Sequence, residues 1–104
     1  MVAYVVSDVE ALDDAQFARY RELAAESIAR HGGRYLVRGA EPEVAEGQPS
    51  GGRRIVIVEF PDGERLRQWY RSADYAEALA MRDSALRRRL LFVEGVEDPP
   101  NISV

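Results

Sequence analysis

The sequence predicts an α+β domain of the ferredoxin-like type, with the element order β-α-β-β-α-β. Segments rich in β-branched and aromatic residues, such as VAYVVSDV and RRIVIVEF, are typical of strands. Two intervening segments carry apolar residues at helical spacing. Because crossover connections are right-handed, this order places both helices on one face of a four-stranded antiparallel sheet.

The first half of the chain predicts a strand over residues 2–9 and then a helix. Asp13 is the expected N-cap of this helix, with Gln16 at the capping-box position. Gly32 and Gly33 end the helix, because glycine accepts the left-handed conformation of a helix C-terminus. One face of the helix carries Phe17, Tyr20, Ala24, Ser27, Ile28 and His31.

The segment RYLVRG, residues 34–39, predicts the second strand, with a bulge at Gly39 after which residues 43–46 continue the strand. The connection AEPEVAEGQPSGG is polar and rich in glycine and proline. RRIVIVEF, residues 53–60, predicts the third strand.

The second half predicts a short helix that holds Leu66, Trp69 and Tyr70, and a helical segment over residues 73–86 with Ser72 as its N-cap. The run 87–89, all arginine, is interpreted as the solvated end of this helix, where cations suit the helix dipole. RLLFVEGV, residues 89–96, predicts the fourth strand. One domain is expected over residues 1–97, followed by a tail, residues 98–104, that lies against a partner subunit or is mobile.

Composition excludes several classes of function. The 104 residues suffice for one modest core, and the net charge of −4 argues against a nucleic-acid partner. The chain has no cysteine, which excludes disulfides and thiolate chemistry. The N-terminus has no signal-peptide pattern and no segment has the length of a membrane span, so a cytoplasmic protein without a membrane partner is expected. No cofactor motif is present: Gly51 and Gly52 lead into a strand and not into a helix.

The third strand predicts a homodimer. Ile55 and Ile57 point to one face of the sheet, and Val56, Val58 and Phe60 point to the other. Both sets are apolar, yet the predicted helices cover a single face. A second copy of the sheet is the simplest cover for the other face, and Val58→Asp is expected to disrupt both the dimer and the fold.

With these elements placed, the chain resembles the DUF1330 family, a domain of unknown function within the dimeric α/β-barrel superfamily. The resemblance covers residues 2–96 and rests on HGGRYLVRG, VIVEFP and WYRSADYAEALAMR. In the last segment the matching positions are Trp69, Tyr70, Ser72, Tyr75, Ala78 and Arg82. The resemblance implies a homodimer whose sheets pack face to face, and it implies no activity. The wider superfamily includes cofactor-free monooxygenases and isomerases.

Arg82 is the residue that most directly suggests a site. It follows Tyr75 by seven residues, so on an unbroken helix it points toward the core, where an arginine needs an anionic partner. That partner is either Glu59, with Tyr70 or Tyr75 bonded to the pair, or a carboxylate or phosphate ligand. The candidate ligand-binding residues are Arg38, Glu59, Tyr70, Ser72, Tyr75 and Arg82.

Two further assignments have a structural and a functional interpretation. Arg38 and Glu59 lie on neighbouring predicted strands, and mutual neutralisation is favoured over a shared ligand. His31 is a possible general base, but its place before Gly32 favours capping of the helix. A metal site is not expected, because a lone histidine supplies one ligand.

Two classes of function follow. The first is a small-molecule protein, with a pocket for an anionic or aromatic metabolite between the sheet and the second helix, lined by Tyr70, Tyr75 and Arg82. The second is a non-catalytic dimeric module whose buried polar residues fix the fold. A cofactor-independent monooxygenase or isomerase is a third possibility, suggested by analogy of fold.

Overall fold

The structure is a computed structural model that describes residues 1–96. Its strands are β1 (Ala3–Ala11), β2 (Arg34–Ala40), β3 (Arg54–Phe60) and β4 (Leu86–Glu94), and its helices are α1 (Asp14–Arg30), α2 (Gly63–Arg71), α3 (Ala73–Ala80) and α4 (Arg82–Ala85). The strands form one sheet in the order β2-β3-β1-β4, with antiparallel neighbours throughout. The predicted ferredoxin-like class is confirmed. The prediction for the tail falls outside the described residues.

The helices cover one face of the sheet, which we call the helix face. On β1 this face carries the buried residues Ala3, Val5, Ser7 and Val9, which alternate with half-buried residues as a strand with one covered face requires. Phe60 of β3 is fully buried and its ring lies 5.4 Å from the ring of Trp69 on α2. The core therefore lies between the sheet and the helices.

The other face of the sheet, which we call the open face, is also apolar. In the sheet register Val6 of β1 lies between Ile57 of β3 and Leu91 of β4. Leu91 is 43% exposed, and Val93 is 46% exposed. Val58 lies on the helix face and is 2% exposed, so the sequence-based choice of Val58 as a position on the open face is wrong.

Helix α1 begins and ends as predicted. The Asp13 carboxylate accepts a hydrogen bond from the backbone N–H of Gln16 at 2.9 Å, which caps the N-terminus. After α1 the chain turns at Gly32, whose φ of 79° favours glycine. Gly33 has no space for a side chain, because a Cβ atom there would meet Ile28 and Phe60 at 2.8 Å.

Strand β2 pairs irregularly with β3. Tyr35 pairs with Val58 and Arg38 pairs with Val56, so one extra residue of β2 is accommodated between these pairs. A second shift between Arg38 and Ala40 agrees with the bulge predicted at Gly39. The predicted continuation over residues 43–46 is wrong, because residues 41–53 form no strand.

The second helical region is broken where the sequence predicts continuity. Helix α3 ends at Ala80, Met81 caps it, and the short α4 follows. Strand β4 then begins at Leu86, so the arginines at 87–89 lie in a strand. Their interpretation as a solvated helix end is wrong, and the alternation of a strand decides which of them faces the helices.

Candidate functional site

A cavity of about 490 Å³ lies between α1 and the helix face of the sheet, and we call it the α1 cavity. Helix α1 contributes Phe17, Tyr20 and Arg21 to its wall, and β2 contributes Tyr35 and Arg38. Aromatic rings and guanidinium groups thus share the wall. The volume falls in the range of pockets that hold small organic molecules.

The inner polar group of the α1 cavity is the guanidinium of Arg88 on β4. It donates hydrogen bonds to the hydroxyl of Tyr20 and, at 2.6 Å, to the hydroxyl of Tyr75. The two hydroxyls also lie 2.7 Å apart and share a hydrogen bond. Arg88 is half-buried, and no carboxylate of residues 1–96 lies within ion-pair distance of it.

One of the two hydroxyl protons in this cluster has no hydrogen-bond acceptor within the cluster. Each hydroxyl accepts from Arg88, and one of the two donates to the other, so the proton of the accepting hydroxyl has no acceptor among the described residues. Tyr20 lines the cavity and Tyr75 does not. When Tyr75 donates to Tyr20, the Tyr20 proton is free to donate into the cavity beside the Arg88 cation.

Burial sets the charge states in this cluster. It raises the pKa of the Tyr20 phenol well above its ordinary value, and the neighbouring Tyr75 raises that pKa further against the opposing influence of Arg88. Burial opposes the charge of Arg88, but the oxygens of Tyr20 and Tyr75 favour it more strongly, so the pKa of Arg88 is also raised. At neutral pH the cluster therefore contains the Arg88 cation beside a neutral Tyr20 phenol.

A second cavity of about 400 Å³, the α4 cavity, lies beside β4. Tyr70, Arg82 and Asp83 line it together with Arg87 and Arg88. Arg88 therefore borders both cavities. Tyr70 also packs edge-on against the ring of Phe92 at 5.5 Å, which fixes one wall of this cavity.

Arg82 does not point into the core. Its side chain is 44% exposed and contacts the neighbouring Asp83 at 3.4 Å. The break at Met81 ends the helical spacing that would have placed Arg82 above Tyr75, so the argument from an unbroken helix is wrong. Glu59 is not its partner, because Glu59 lies on the open face and pairs with Arg34 at 2.9 Å.

The predicted pairing of Arg38 with Glu59 is also wrong, because the two residues lie on opposite faces of the sheet. Arg38 pairs in register with Val56 on the helix face, and its guanidinium stacks on the ring of Tyr35 at 4.6 Å. Arg38 does line a cavity, but this larger cavity lies under α1 and not beside the second helix as predicted.

The remaining candidates have mainly structural contacts. Ser72 caps α3, since its hydroxyl accepts from the backbone N–H of Tyr75 at 3.1 Å. His31 caps α1: its Nδ1 lies 2.8 Å from the carbonyl oxygen of Ser27, and the ring lines neither cavity. Tyr75 is fully buried and belongs to the cluster with Arg88, and Tyr70 lines the α4 cavity.

Sequence reasoning missed Arg88, Tyr20 and Tyr35 as site residues. Arg88 has a detectable signal, because it stands two residues after Leu86 and two before Leu90, in step with the apolar side of a strand. The helix-capping interpretation of the arginine run concealed this alternation. Tyr20 was placed on the inner face of α1, but its partner was not foreseeable without the position of β4.

Residues 1–96 contain neither a metal-binding group nor a membrane-spanning helix. Within residues 1–96 no three histidine, cysteine, aspartate or glutamate side chains lie together as a metal-binding group. None of the helices in that part of the chain has the length and apolar character that crossing a membrane requires.

The fold is shared with solved structures of low sequence identity. A protein of unknown function from Rhodopseudomonas palustris is 17% identical, with a TM-score of 0.76 over 93% of this chain and 84% of that one. SnoaB, a cofactor-independent oxygenase from Streptomyces nogalater, is 13% identical, with a TM-score of 0.65 over 96% and 98%. A dimeric ferredoxin-like protein of unknown function from Jannaschia sp. is 12% identical, with a TM-score of 0.66 over 91% and 100%.

At such identities these likenesses establish the fold and no activity. No curated protein matches the chain. The model of the family described as Domain of unknown function (DUF1330) matches residues 2–96, which span all four strands and all four helices of the structure. The chain belongs to the DUF1330 family.

Proposed function

We propose that the protein binds a small aromatic anion in the α1 cavity, with the anionic group held by Arg88 and the hydroxyl of Tyr20. One observation carries this proposal: Arg88 is a half-buried cation at a cavity wall, and no carboxylate of residues 1–96 neutralises it. A desolvated charge without a counterion is costly, so an anion that enters the cavity gains the interaction that the chain does not supply.

The rest of the cavity wall suits an aromatic body. Phe17, Tyr35 and Trp69 line the cavity, together with aliphatic side chains of the sheet such as Val5 and Val58. Such rings bury large apolar area and favour edge-on or offset contacts with another ring. The spare proton of Tyr20 adds a donor next to Arg88, as carboxylate binding requires.

Binding is better supported than catalysis. The oxygenase activity belongs to SnoaB, whose fold this chain shares. Among the residues that line the α1 cavity, Asp14 is the single carboxylate and histidine is absent, so a general base has one candidate. Aerobic incubation with an electron-rich hydroxyarene, followed by oxygen consumption, tests the oxygenase alternative directly.

The binding proposal is tested with benzoate, which presents one carboxylate on one ring. Trp69 is the single tryptophan and lines the cavity, so its fluorescence reports occupancy without a label. We expect benzoate to change this fluorescence saturably and Arg88→Met to weaken binding about a hundredfold, because a charged hydrogen bond contributes about 1.5–3 kcal/mol. Benzamide, which has the same ring without the charge, is expected to bind far more weakly.

Arg67→Met is the matched control variant. Arg67 is exposed on α2, forms no ion pair within residues 1–96 and lines neither cavity. Arg67→Met therefore removes the same charge as Arg88→Met at a position outside the site. If Arg88→Met fails to fold, Tyr20→Phe removes the spare donor while the cation stays. Equal affinity of wild type, Arg88→Met and Tyr20→Phe for benzoate, or no binding by wild type, would refute the proposal.

We also propose that the protein is a homodimer joined through the open face. Val6, Ile57 and Leu91 form an apolar patch across three neighbouring strands of that face, and no helix of residues 1–96 covers it. The Jannaschia protein of the same fold is described as dimeric, which supports this assembly. A cytoplasmic location and the lack of a nucleic-acid partner stay predictions from the sequence.

A further inference from the structure

Ion pairs are distributed unevenly among the fourteen arginines. Within residues 1–96, seven of them form an ion pair with a carboxylate: Arg19, Arg30, Arg34, Arg53, Arg82, Arg87 and Arg89. None of these seven lines the α1 cavity. The four arginines that do line it, Arg21, Arg38, Arg54 and Arg88, form no ion pair with the described residues.

The cavity is therefore positive in a protein whose net charge is −4. Its wall carries four guanidinium groups and one carboxylate, that of Asp14. Charge of one sign on the wall of a cleft raises the local concentration of counterions, because the protein on either side screens poorly. An anion with a single charge leaves most of this positive charge unmatched.

The four arginines lie at two levels. Arg88 is half-buried, whereas Arg21, Arg38 and Arg54 are exposed, which places the latter three at the mouth. Each has a partner that leaves its charge available: Arg38 stacks on Tyr35, and Arg54 donates to the carbonyl oxygen of Gly39 at 3.1 Å.

The third mouth residue, Arg21, lies over the ring of Phe17 at 5.7 Å. Burial raises the pKa of the Tyr35 phenol, and Arg38 and Arg21 both act to lower it, so both cations lie within electrostatic range of one hydroxyl. Helix α1 and strand β2 thus bring their arginines to the same side of the opening.

We infer that the ligand of the α1 cavity carries two separated anionic groups, one bound by Arg88 inside and one held at the mouth by Arg21, Arg38 and Arg54. This inference rests on the proposed function and adds the class of ligand: an aromatic compound with one inner anionic group and an outer carboxylate or phosphate. Guanidinium groups bind both through paired N–H donors.

Three probes of one ring test the inference: benzoate, terephthalate and 4-carboxyphenyl phosphate. We expect terephthalate and 4-carboxyphenyl phosphate, the two probes with a second anionic group, each to bind wild type about tenfold more tightly than benzoate, since exposed charge pairs each contribute modestly. Arg38→Met and Arg54→Met should reduce this gain and should weaken benzoate binding less, because benzoate has no anionic group at the mouth. Arg88→Met should weaken binding of all three probes.

The dependence of affinity on salt distinguishes binding of the inner anionic group from binding of the outer one. Raising the ionic strength from about 0.01 M to 0.15 M shortens the screening length from about 30 Å to about 8 Å, so the gain of the two probes with a second anionic group should shrink while benzoate binding changes less. Arg67→Met, which removes an arginine outside both cavities, should leave the ratio of affinities unchanged.

The outcomes distinguish this inference from the proposed function. If benzoate binds and the two probes with a second anionic group bind no better, the outer anion site does not exist while the inner one stands. If no probe binds, the proposed function fails first. If 4-carboxyphenyl phosphate gains affinity over benzoate and terephthalate does not, the mouth binds a phosphate. If both gain equally, the mouth binds either a carboxylate or a phosphate.

Discussion

Two adjacent residues of β3, Ile57 and Val58, allow the homodimer to be tested separately from the fold. Ile57 pairs with Val6 on the open face, and Val58 pairs with Val5 on the helix face. Aspartate at either position adds the same charge to the same strand. We expect Ile57→Asp to give a folded monomer and Val58→Asp to prevent folding.

The expected magnitudes follow from burial. Val58 is 2% exposed, so Val58→Asp forfeits about 1.5–3 kcal/mol of apolar burial and adds a desolvation penalty of several kcal/mol for the carboxylate. That sum is comparable to the stability of a small domain, about 5–15 kcal/mol. Ile57 is half-buried in one chain, so its change costs the isolated subunit on the order of 1 kcal/mol.

Symmetry doubles the effect of Ile57 on the dimer. Because Ile57 is already half-buried, each copy loses about 0.8–1.5 kcal/mol of burial at the interface, so the dissociation constant should rise by about one to two orders of magnitude before the two carboxylates are considered. Sedimentation equilibrium at micromolar concentration measures the mass, and circular dichroism measures the fold. A dimeric Ile57→Asp protein would show that subunits meet elsewhere, and a well-folded monomeric wild type would show that the open face has no second copy.

Two further predictions concern the buried polar groups. The indole N–H of buried Trp69 donates a hydrogen bond to the Ser27 hydroxyl at 2.9 Å, and Ser27→Ala removes this acceptor. Ser27→Ala should therefore lower the free energy of unfolding by about 1–3 kcal/mol, measured by urea titration. An unchanged midpoint would contradict this prediction. Because burial holds the pKa of Tyr20 above its ordinary value, folding favours the protonated phenol, so the contribution of Tyr20 to stability should be constant below about pH 10 and fall as the pH rises further. Tyr20→Phe should show a smaller fall, and equal slopes in both proteins would refute this assignment.

The fold followed from patterns that operate over short distances. A few residues of sequence suffice to recognise the alternation of the strands, the Asp13 cap and the glycines after α1. The dimer was expected because both faces of β3 are apolar, but the choice of Val58 as its test failed. Alternation separates two faces of a strand, and it does not say which face the helices cover.

The candidate site was less predictable because it depends on boundaries that the sequence does not mark. No glycine or proline stands between Tyr75 and Leu90, so neither the break at Met81 nor the start of β4 at Leu86 is signalled. The sequence predicts an arginine that faces the core and binds either Glu59 or an anionic ligand, but places it at position 82. Arg88 has that environment, six residues further along and on a strand.

The irregular pairing of β2 has a consequence for how its positions are compared among relatives. Tyr35 and Arg38 are three residues apart yet face the same side, which regular alternation forbids and the extra residue permits. Deleting one residue between them would leave them two residues apart in a regular strand, which again places both side chains on the same face. The arginine at the ligand's entrance can therefore survive a change in the length of β2, so an alignment of homologues needs a gap between these two positions before their residues are compared.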